Sequence, residues 1–317
     1  MVVNKLASYA RSASVLADLA TDSSVEEFLG LVGNVSRRLA NENGRLGTLK
    51  ITGRLIEAAP VGEAIIVGDL HGDLKSLVHI LEDSNFISKA KSGSDVLLIF
   101  LGDYGDRGTH SPEVYYVVLK LKEMFPEHII LIRGNHEGPP DLLASPHDMP
   151  IQMKTRFREK GSEAYRKLRE LFTRLYTGVI IEDRVVLLHG GAPSQATAAN
   201  DIAYAHEMHP RESHLEEILW SDPWEDIKGT IASPRGAGRL FGEDVTKRLL
   251  AMLNVKALVR GHQSCSDGYK TDHSQKVLTL FSRKGAPYTN RYGAYLHLDI
   301  SQKIEKPKQL LQGIHKF

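Results

Sequence analysis

Five short apolar segments of this 317-residue chain end in side chains that can bind metal ions or transfer protons. Each segment runs into a turn that contains glycine, as in Gly68-Asp69 and Gly102-Asp103. The candidate side chains at these turns are Asp69, His71, Asp103, Asn135, His136, His189 and His262. Carboxylate, amide and imidazole groups in one set suit manganese, iron or zinc, whereas a calcium or magnesium cage uses oxygen atoms. The residue types therefore predict a transition-metal site.

The segments that precede these side chains are typical of strands buried on both faces, because they are continuous apolar runs. They are residues 64–67, 96–101, 129–132, 185–188 and 255–259. Helical patterns follow at Leu74 to Leu81 and at Glu113 to Phe125, and this alternation indicates an α/β domain. Open α/β sheets bind ligands at the carboxyl ends of their strands, so we expect the candidate side chains to meet there. The tail from Val277 to Ile300 is predicted to form paired strands that close the domain.

The beginning of the chain has a different pattern. Apolar residues recur near helical spacing from Val25 to Val35, and Asn43-Gly44 closes this pattern. We therefore predict a helical N-terminal extension over residues 1–46 that packs on a catalytic domain over residues 47–317.

Charge and composition exclude several classes of protein. The chain has 40 Lys and Arg residues against 39 Asp and Glu residues, which argues against a nucleic-acid partner held by bulk electrostatics. Its single cysteine, Cys265, excludes an intrachain disulfide and a cysteine-rich zinc site. No apolar run reaches the roughly 18 residues that span a bilayer, and the first residues lack the apolar core of a secretory signal. We expect a cytoplasmic protein without membrane contact.

Several motifs resemble those of a known family. The motifs occur in the order found in metallophosphoesterases: Gly-Asp-Leu-His-Gly (68–72), Gly-Asp-Tyr-Gly-Asp-Arg-Gly (102–108), Arg-Gly-Asn-His-Glu (133–137), His-Gly-Gly (189–191) and Arg-Gly-His-Gln (260–263). From about residue 62 to 300 the chain resembles, more narrowly, the phosphoprotein phosphatase (PPP) family of serine/threonine phosphatases. The marks of that branch are Trp220-Ser221-Asp222-Pro223, Arg235-Gly236 and Asp267-Gly268-Tyr269. The resemblance implies a calcineurin-like metallophosphoesterase fold, a central β-sandwich flanked by helices with a dimetal site at the carboxyl ends of strands.

The resemblance also implies a role for each strand-end residue. The residues expected to bind the first metal are Asp69, His71 and Asp103. Those expected to bind the second are Asp103, Asn135, His189 and His262. Asp103 is the expected bridge, since a carboxylate can serve both ions through its two oxygens. We expect two divalent ions, with manganese as the first choice and iron or zinc as alternatives, because such a pair can clamp the two oxygens of an in-line displacement.

A proton donor and a phosphate clamp complete the implied site. His136 is the expected general acid that protonates the leaving alkoxide, and Asp106 would orient its imidazole. Arg107 and Arg235 would bind phosphate oxygens, because a guanidinium fork matches phosphate geometry. The expected substrate contacts are Arg107, Asn135, Arg235 and Tyr288, the last of which lies where the family has an active-site tyrosine. The implied reaction is the hydrolysis of phosphoserine and phosphothreonine in phosphoprotein substrates by a metal-activated hydroxide.

Two segments depart from the eukaryotic pattern of the family. A Pro-rich loop at residues 138–150 replaces the usual segment after Glu137, and residues 281–288 are longer than the matching eukaryotic stretch. These differences resemble the prokaryotic or archaeal branch. We therefore do not expect regulatory subunits of the eukaryotic type.

Three alternatives stay open. A symmetrical dinucleoside tetraphosphate hydrolase shares the early motifs but lacks a segment such as Trp-Ser-Asp-Pro at 220–223. A metallophosphoesterase nuclease or phosphodiesterase commonly ends in Gly-His-x-His, whereas Ser264 follows Gln263 here. A catalytically inactive binding scaffold would lack a metal ligand or the acid, and this sequence has all of them.

Overall fold

Two large β-sheets form the centre of the protein in the computed structural model, which describes residues 12–317. The strands are β1 (Gly44–Leu46), β2 (Leu49–Thr52), β3 (Leu55–Ala58), β4 (Glu63–Val67), β5 (Val96–Phe100), β6 (Ile129–Leu131), β7 (Gly178–Ile181), β8 (Val185–Leu187), β9 (Asp222–Pro223), β10 (Thr230–Ala232), β11 (Arg239–Phe241), β12 (Ala257–Arg260), β13 (Tyr269–Asp272), β14 (Val277–Leu280), β15 (Ala294–Asp299) and β16 (Ile314–Lys316). One sheet has eight strands in the order β1-β2-β3-β7-β8-β12-β14-β13, and the other has five in the order β16-β15-β4-β5-β6. The short strands β10, β11 and β9 form a third sheet.

Helices flank the two large sheets. They are α1 (Ala13–Asp22), α2 (Val25–Asn41), α3 (Leu74–Asp83), α4 (Phe86–Lys91), α5 (Ser111–Met124), α6 (Met149–Phe157), α7 (Gly161–Phe172), α8 (Ala199–Ala203), α9 (Ala205–Met208), α10 (His214–Trp220) and α11 (Glu243–Leu253). Short 3₁₀ helices lie at Pro140–Leu142, Arg158–Lys160 and Pro307–Gly313. No helix within residues 12–317 is long and apolar enough to cross a membrane.

Side chains alternate between two hydrophobic clusters along the eight-stranded sheet. Val185 and Leu187 of β8 belong to the cluster that also contains Ile65 of β4 and Leu98 of β5. Val186 points the other way and packs with residues of α8, α10 and α11. Because side chains alternate faces along a strand, one face of the large sheet shares a core with the smaller sheet and the other is covered by helices.

Parallel strands bring the motif-bearing turns to one edge. In the five-stranded sheet β4, β5 and β6 are parallel, and in the eight-stranded sheet β8, β12 and β14 are parallel. A bridge between Asp69 and Phe281 joins the two sheets at this edge. A Cβ at Gly68 would lie 2.4 Å from the carbonyl oxygen of Leu280, so only glycine lets the chains approach here.

The five apolar segments form strands close to where they were predicted. The segment predicted at residues 255–259 forms β12 at Ala257–Arg260. The prediction of paired strands in the tail is wrong in one respect, because β14 and β15 do not pair with each other. β14 pairs with β12 and β13, whereas β15 pairs with β4 and β16. The connection between β14 and β15 crosses from one sheet to the other, and the apolar pattern carries no information about which partner a strand takes.

The first part of the chain packs against helices of the catalytic region. Residues 1–11 of the predicted helical extension lie outside the described residues. Within the rest of the predicted segment the chain forms α1 and α2, and residues 44–46 form β1 at the edge of the eight-stranded sheet instead of helix. In α2, Phe28 is fully buried with its ring centroid 5.0 Å from that of Phe157, and Arg156 of α6 donates to the carbonyl oxygens of Thr21 and Ser23.

Phe28→Ala should lower the free energy of unfolding by about 3–5 kcal/mol, because it leaves a cavity between α2 and α6. Denaturant unfolding followed by circular dichroism measures this loss. Arg37→Ala, on the exposed face of the same helix, is the control and should change stability by less than about 0.5 kcal/mol. Equal effects of the two substitutions would contradict a packed helical layer.

Candidate active site

All seven strand-end side chains meet at the edge where the two sheets join. Asp69 and His71 follow β4, and Asp103 follows β5. Asn135 and His136 follow β6. His189 and His262 follow β8 and β12. Every one of them is buried. The turn geometry is unusual, since several of these residues have a left-handed backbone, namely His71 (φ 42°), Asp103 (φ 53°) and His262 (φ 70°). Such conformations cost free energy and are found mostly at functional sites.

Four side chains converge on one point beside Asp103. The side-chain oxygen of Asn135 lies 3.0 Å from His189 Nε2 and 3.2 Å from His262 Nδ1. The same atom lies 3.1 and 3.0 Å from the two carboxylate oxygens of Asp103. His189 Nε2 is 3.4 Å from Asp103 Oδ1. With the amide rotated, its nitrogen donates to these four atoms, whereas an amide oxygen at this point faces only acceptors and would need a cation beside it.

A second group forms on the other side of the same carboxylate. His71 Nε2 lies 3.5 Å from Asp103 Oδ2 and 3.8 Å from Asp69 Oδ2. The other oxygen of Asp69 accepts from the backbone N–H of His262 at 2.9 Å. Asp103 therefore belongs to both groups, with one carboxylate oxygen facing each.

Backbone carbonyl groups fix which imidazole nitrogen faces the centre with a lone pair. His71 Nδ1 donates to the carbonyl oxygen of Gly105 and His189 Nδ1 to that of Leu101, both at 2.9 Å. Because a carbonyl oxygen can only accept, Nδ1 carries the proton and Nε2 is free to bind a cation. Burial lowers the pKa of His71 well below its usual value and that of His189 to about 4, so both rings are neutral.

The donor set fits divalent metal ions. Burial, and next the charge of Asp103, raise the pKa of Asp69 to about 6, which reflects two carboxylates held close together. Lone pairs of carboxylate, amide and imidazole groups that face one another inside a protein repel unless a cation lies among them. The residues that could hold such ions are Asp69, His71, Asp103, Asn135, His189 and His262.

His136 stands beside this centre with one nitrogen free. Its Nδ1 is 2.6 Å from Asp106 Oδ2, and its backbone N–H donates to Asp103 Oδ1 at 3.1 Å. Its Nε2 is buried without a hydrogen-bond partner among the described residues. Burial opposes protonation, but the charge of Asp103 and the bond to Asp106 prevail and raise the pKa of His136. The ring can therefore carry a proton at Nε2.

Two arginines lie on opposite sides of the group. On the His71 side, Arg107 Nη1 donates to the hydroxyl oxygen of Tyr288 at 2.5 Å, and the Tyr288 ring stacks 5.7 Å from the His71 ring. On the His262 side, Arg235 Nε donates to Asp222 Oδ2 at 2.7 Å. Arg235 is more exposed than Arg107, and it is linked to the site through Asp222, whose Oδ1 lies 4.0 Å from His262 Nε2.

Comparisons with known proteins identify the family. Residues 64–266 match the family model of the calcineurin-like phosphoesterases. A probable serine/threonine-protein phosphatase of Encephalitozoon cuniculi is 36% identical over 244 residues, which cover 76% of this chain and 51% of that protein. A catalytic subunit of protein phosphatase 2A from Dictyostelium discoideum is 32% identical over 244 residues, which cover 76% of this chain and 74% of that protein. The serine/threonine-protein phosphatase 4 catalytic subunit of Candida glabrata is 33% identical over 251 residues, which cover 78% of this chain and 77% of that protein.

This chain belongs to the calcineurin-like phosphoesterase family, and within it to the serine/threonine-protein phosphatases. It spans about half the length of the Encephalitozoon relative. A solved protein serine/threonine phosphatase from Saccharomyces cerevisiae superimposes with a TM-score of 0.72 at 20% identity, covering 92% of this chain and 89% of that one. A solved cold-active protein tyrosine phosphatase superimposes with a TM-score of 0.56 at 18% identity, covering 76% of this chain and 75% of that one. The predicted calcineurin-like fold is thereby confirmed.

Buried polar side chains outside the ligand groups support the phosphoesterase centre. Glu137 is fully buried and accepts from the backbone N–H groups of Asp103, Tyr104 and Gly134 at 2.8, 3.2 and 3.1 Å. It thus holds the turn that carries the shared carboxylate.

Two further supporting residues were missed. Arg283 donates to the carbonyl oxygen of His71, and His147 is a second imidazole on Asp106. Neither belongs to a motif, and each lies far from its partner in sequence, so no characteristic residue spacing pointed to the contact. The available signal was that both are polar residues inside the segments that depart from the eukaryotic pattern, residues 281–288 and 138–150.

Asp103→Asn should remove most of the bound metal, because it takes the charge from the one carboxylate that faces both groups. Metal content after gel filtration, measured by mass spectrometry, tests this result. The metal-free variant should have a melting temperature at or above that of the metal-free parent, since the repulsion between the Asp103 and Asp69 carboxylates is gone. Asp141→Asn, an exposed carboxylate, is the control. Full metal content in the Asp103→Asn variant would rule out its bridging position.

Proposed function

We propose that this chain hydrolyses phosphoserine and phosphothreonine monoesters in proteins. The observation that carries the proposal is the buried Asp103 carboxylate with lone-pair donors on both of its oxygens, next to a histidine whose Nε2 is free. The substrate class comes from the names of the relatives, which are serine/threonine-protein phosphatases. The alternative, a symmetrical dinucleoside tetraphosphate hydrolase, is not favoured by these relatives.

The ligands of the two ions are proposed as the two groups around Asp103. Asp69, His71 and Asp103 would hold one ion. The ligands of the other would be Asp103, Asn135, His189 and His262. Bound divalent ions supply an activated water near neutral pH and offset the charge of the phosphoryl group. Manganese is proposed, with iron and zinc as alternatives, because the mixed nitrogen and oxygen donors suit all three.

The chain's own residues would orient the phosphate and deliver a proton. Arg107 is held in place by its bond to Tyr288 and by a bond from its backbone N–H to Asp148 Oδ1 at 3.0 Å, so its guanidinium is pre-organised to bind phosphate oxygens. Arg235 would approach the phosphate from the His262 side, and Asn135 and Tyr288 would also contact the substrate. His136 would protonate the departing serine or threonine oxygen from Nε2.

Several finer points are proposals of the same kind. The helical extension would end before β1, and the catalytic domain would run from there to residue 317. The relatives reported above are eukaryotic, so membership of a prokaryotic or archaeal branch stays a prediction from residues 138–150 and 281–288. The expectation that regulatory subunits of the eukaryotic type do not bind has the same basis. A cytoplasmic location, and a lack of nucleic-acid and membrane partners, stay predictions from the sequence.

His136→Ala should lower kcat for a phosphothreonine peptide by about 10²–10⁴-fold, the usual contribution of a general acid. The metal content should stay at the parent's level, because the imidazole is bonded to Asp106 and is not assigned as a ligand. Steady-state kinetics and metal analysis on the same preparation give both quantities. If the variant instead loses a stoichiometric metal, His136 is a ligand and the acid assignment is wrong.

The activity itself is tested with metal-stripped protein. Phosphate release is measured with and without added manganese, using phosphoserine and phosphothreonine peptides beside diadenosine tetraphosphate, and Asp103→Asn as the metal-site control. We expect manganese-dependent turnover of the peptides and little of the dinucleotide. The reverse preference would transfer the protein to the nucleotide hydrolases.

A further inference from the structure

The Asp106 carboxylate carries two imidazoles on one oxygen. Its Oδ2 lies 2.6 Å from His136 Nδ1 and 2.7 Å from His147 Nδ1. A carboxylate oxygen can only accept, so each Nδ1 carries a proton and donates to it. The other nitrogen of His147, Nε2, lies 2.6 Å from the hydroxyl oxygen of Tyr165. Tyr165 and His147 therefore form a line of hydrogen bonds that ends on the same oxygen as the proposed proton donor.

The second oxygen of Asp106 is held by the same stretch of chain. Its Oδ1 accepts from the backbone N–H groups of Asp148 and Met149 at 2.9 and 2.7 Å, where α6 begins. Of the four donors that surround the carboxylate, one comes from His136 and three come from residues 147–149. Because Asp106 is buried, the position of its Oδ2 is set by these donors and not by solvent.

The backbone bonds alone leave Oδ2 free to move relative to His136. A carboxylate anchored through Oδ1 can still pivot about that oxygen by coupled changes in its two side-chain torsion angles, which moves Oδ2. A second donor on Oδ2 removes this freedom. The bond from Tyr165 fixes His147 in turn, and the His147 side chain is only 15% exposed.

We propose that His147 is a positioning residue for proton transfer, which holds Asp106 so that His136 Nε2 faces the departing oxygen. This inference rests on the proposed function, since it assumes that His136 protonates the leaving group. Residues outside the family motifs would then determine the orientation of the acid, and Tyr165 would support it one step further out.

A role in proton transfer can be separated from a general structural role by the leaving group. The oxygen of serine or threonine leaves as a strongly basic alkoxide and needs a proton in the transition state. The phenolate of p-nitrophenyl phosphate is a weak base and leaves without one. Damage to the acid alone should therefore slow peptide hydrolysis far more than aryl phosphate hydrolysis, whereas damage to the metal centre should slow both.

The side chain at position 147 allows a matched pair of substitutions. His147→Asn places an amide N–H near the position of Nδ1 and should keep the bond to Asp106. His147→Gln has nearly the same bulk but places its amide near the position of Nε2, so it should lose that bond. We expect the glutamine variant to lower kcat on a phosphothreonine peptide by about 10–100-fold, with KM unchanged and with p-nitrophenyl phosphate turnover within about 2-fold of the parent. The asparagine variant should recover most of the peptide activity.

Two further variants separate failure of this inference from failure of the proposed function. His136→Ala should show the same selective loss on the peptide, and more strongly. If it does not, His136 is not the acid, so the acid assignment and the positioning role both fail, whereas manganese-dependent peptide turnover by the parent protein tests the hydrolysis itself. His209→Ala removes an imidazole–carboxylate contact with Asp141 of the 138–150 segment, at 2.9 Å, and should leave both activities unchanged.

If His136→Ala is selective but His147→Gln slows both substrates equally, or slows neither, the positioning role is wrong and the proposed function stands. An asparagine variant as impaired as the glutamine variant would also overturn the role, because the bond at Nδ1 would then not be what matters.

Discussion

Mutual repulsion among buried lone pairs is the constraint on which this structure depends. Polar side-chain atoms of Asp103, Asn135 and His189 lie 3.0 to 3.4 Å apart, and His71 Nε2 lies 3.5 Å from the other oxygen of the same carboxylate. Without a cation such a cluster is destabilising. The fold must therefore supply enough stability elsewhere to hold these groups together, and two sheets that share a core and join at the Asp69 bridge provide it.

The same constraint explains why so many backbone groups orient these side chains. Carbonyl groups fix the tautomers of His71 and His189, and Glu137 collects three backbone N–H groups around the turn of Asp103. A Cβ at Gly134 would lie 2.2 Å from Asp103 Oδ1, so this close packing excludes any larger residue. A ligand set held in this way needs little reorganisation when an ion binds, which is how supporting residues raise metal affinity.

The sequence was enough to predict what depends on local pattern. Apolar runs followed by glycine located the strands. Because α/β sheets bind ligands at the carboxyl ends of their strands, the sequence also predicted that Asp69, His189 and His262 meet, although they are far apart in the chain. The pairing of strands that are distant in sequence could not be predicted from such local patterns. The strand at Gly44–Leu46 is too short for a periodic signal, and β14 and β15 enter different sheets although they are neighbours in sequence. His147 lies in a loop whose path is set by tertiary contacts, so nothing in its neighbourhood revealed that it contacts Asp106.

The two halves of the site are supported by different parts of the molecule. The proposed metal ligands follow strands of both sheets, whereas Asp106 is held by the start of α6, and Arg156 in the same helix donates to carbonyl groups of the N-terminal helices. The N-terminal helices are therefore linked through α6 to the segment that holds Asp106. The contact that joins the two halves most directly is the bond from the backbone N–H of His136 to Asp103 Oδ1, which sets the distance between His136 and the Asp103 carboxylate.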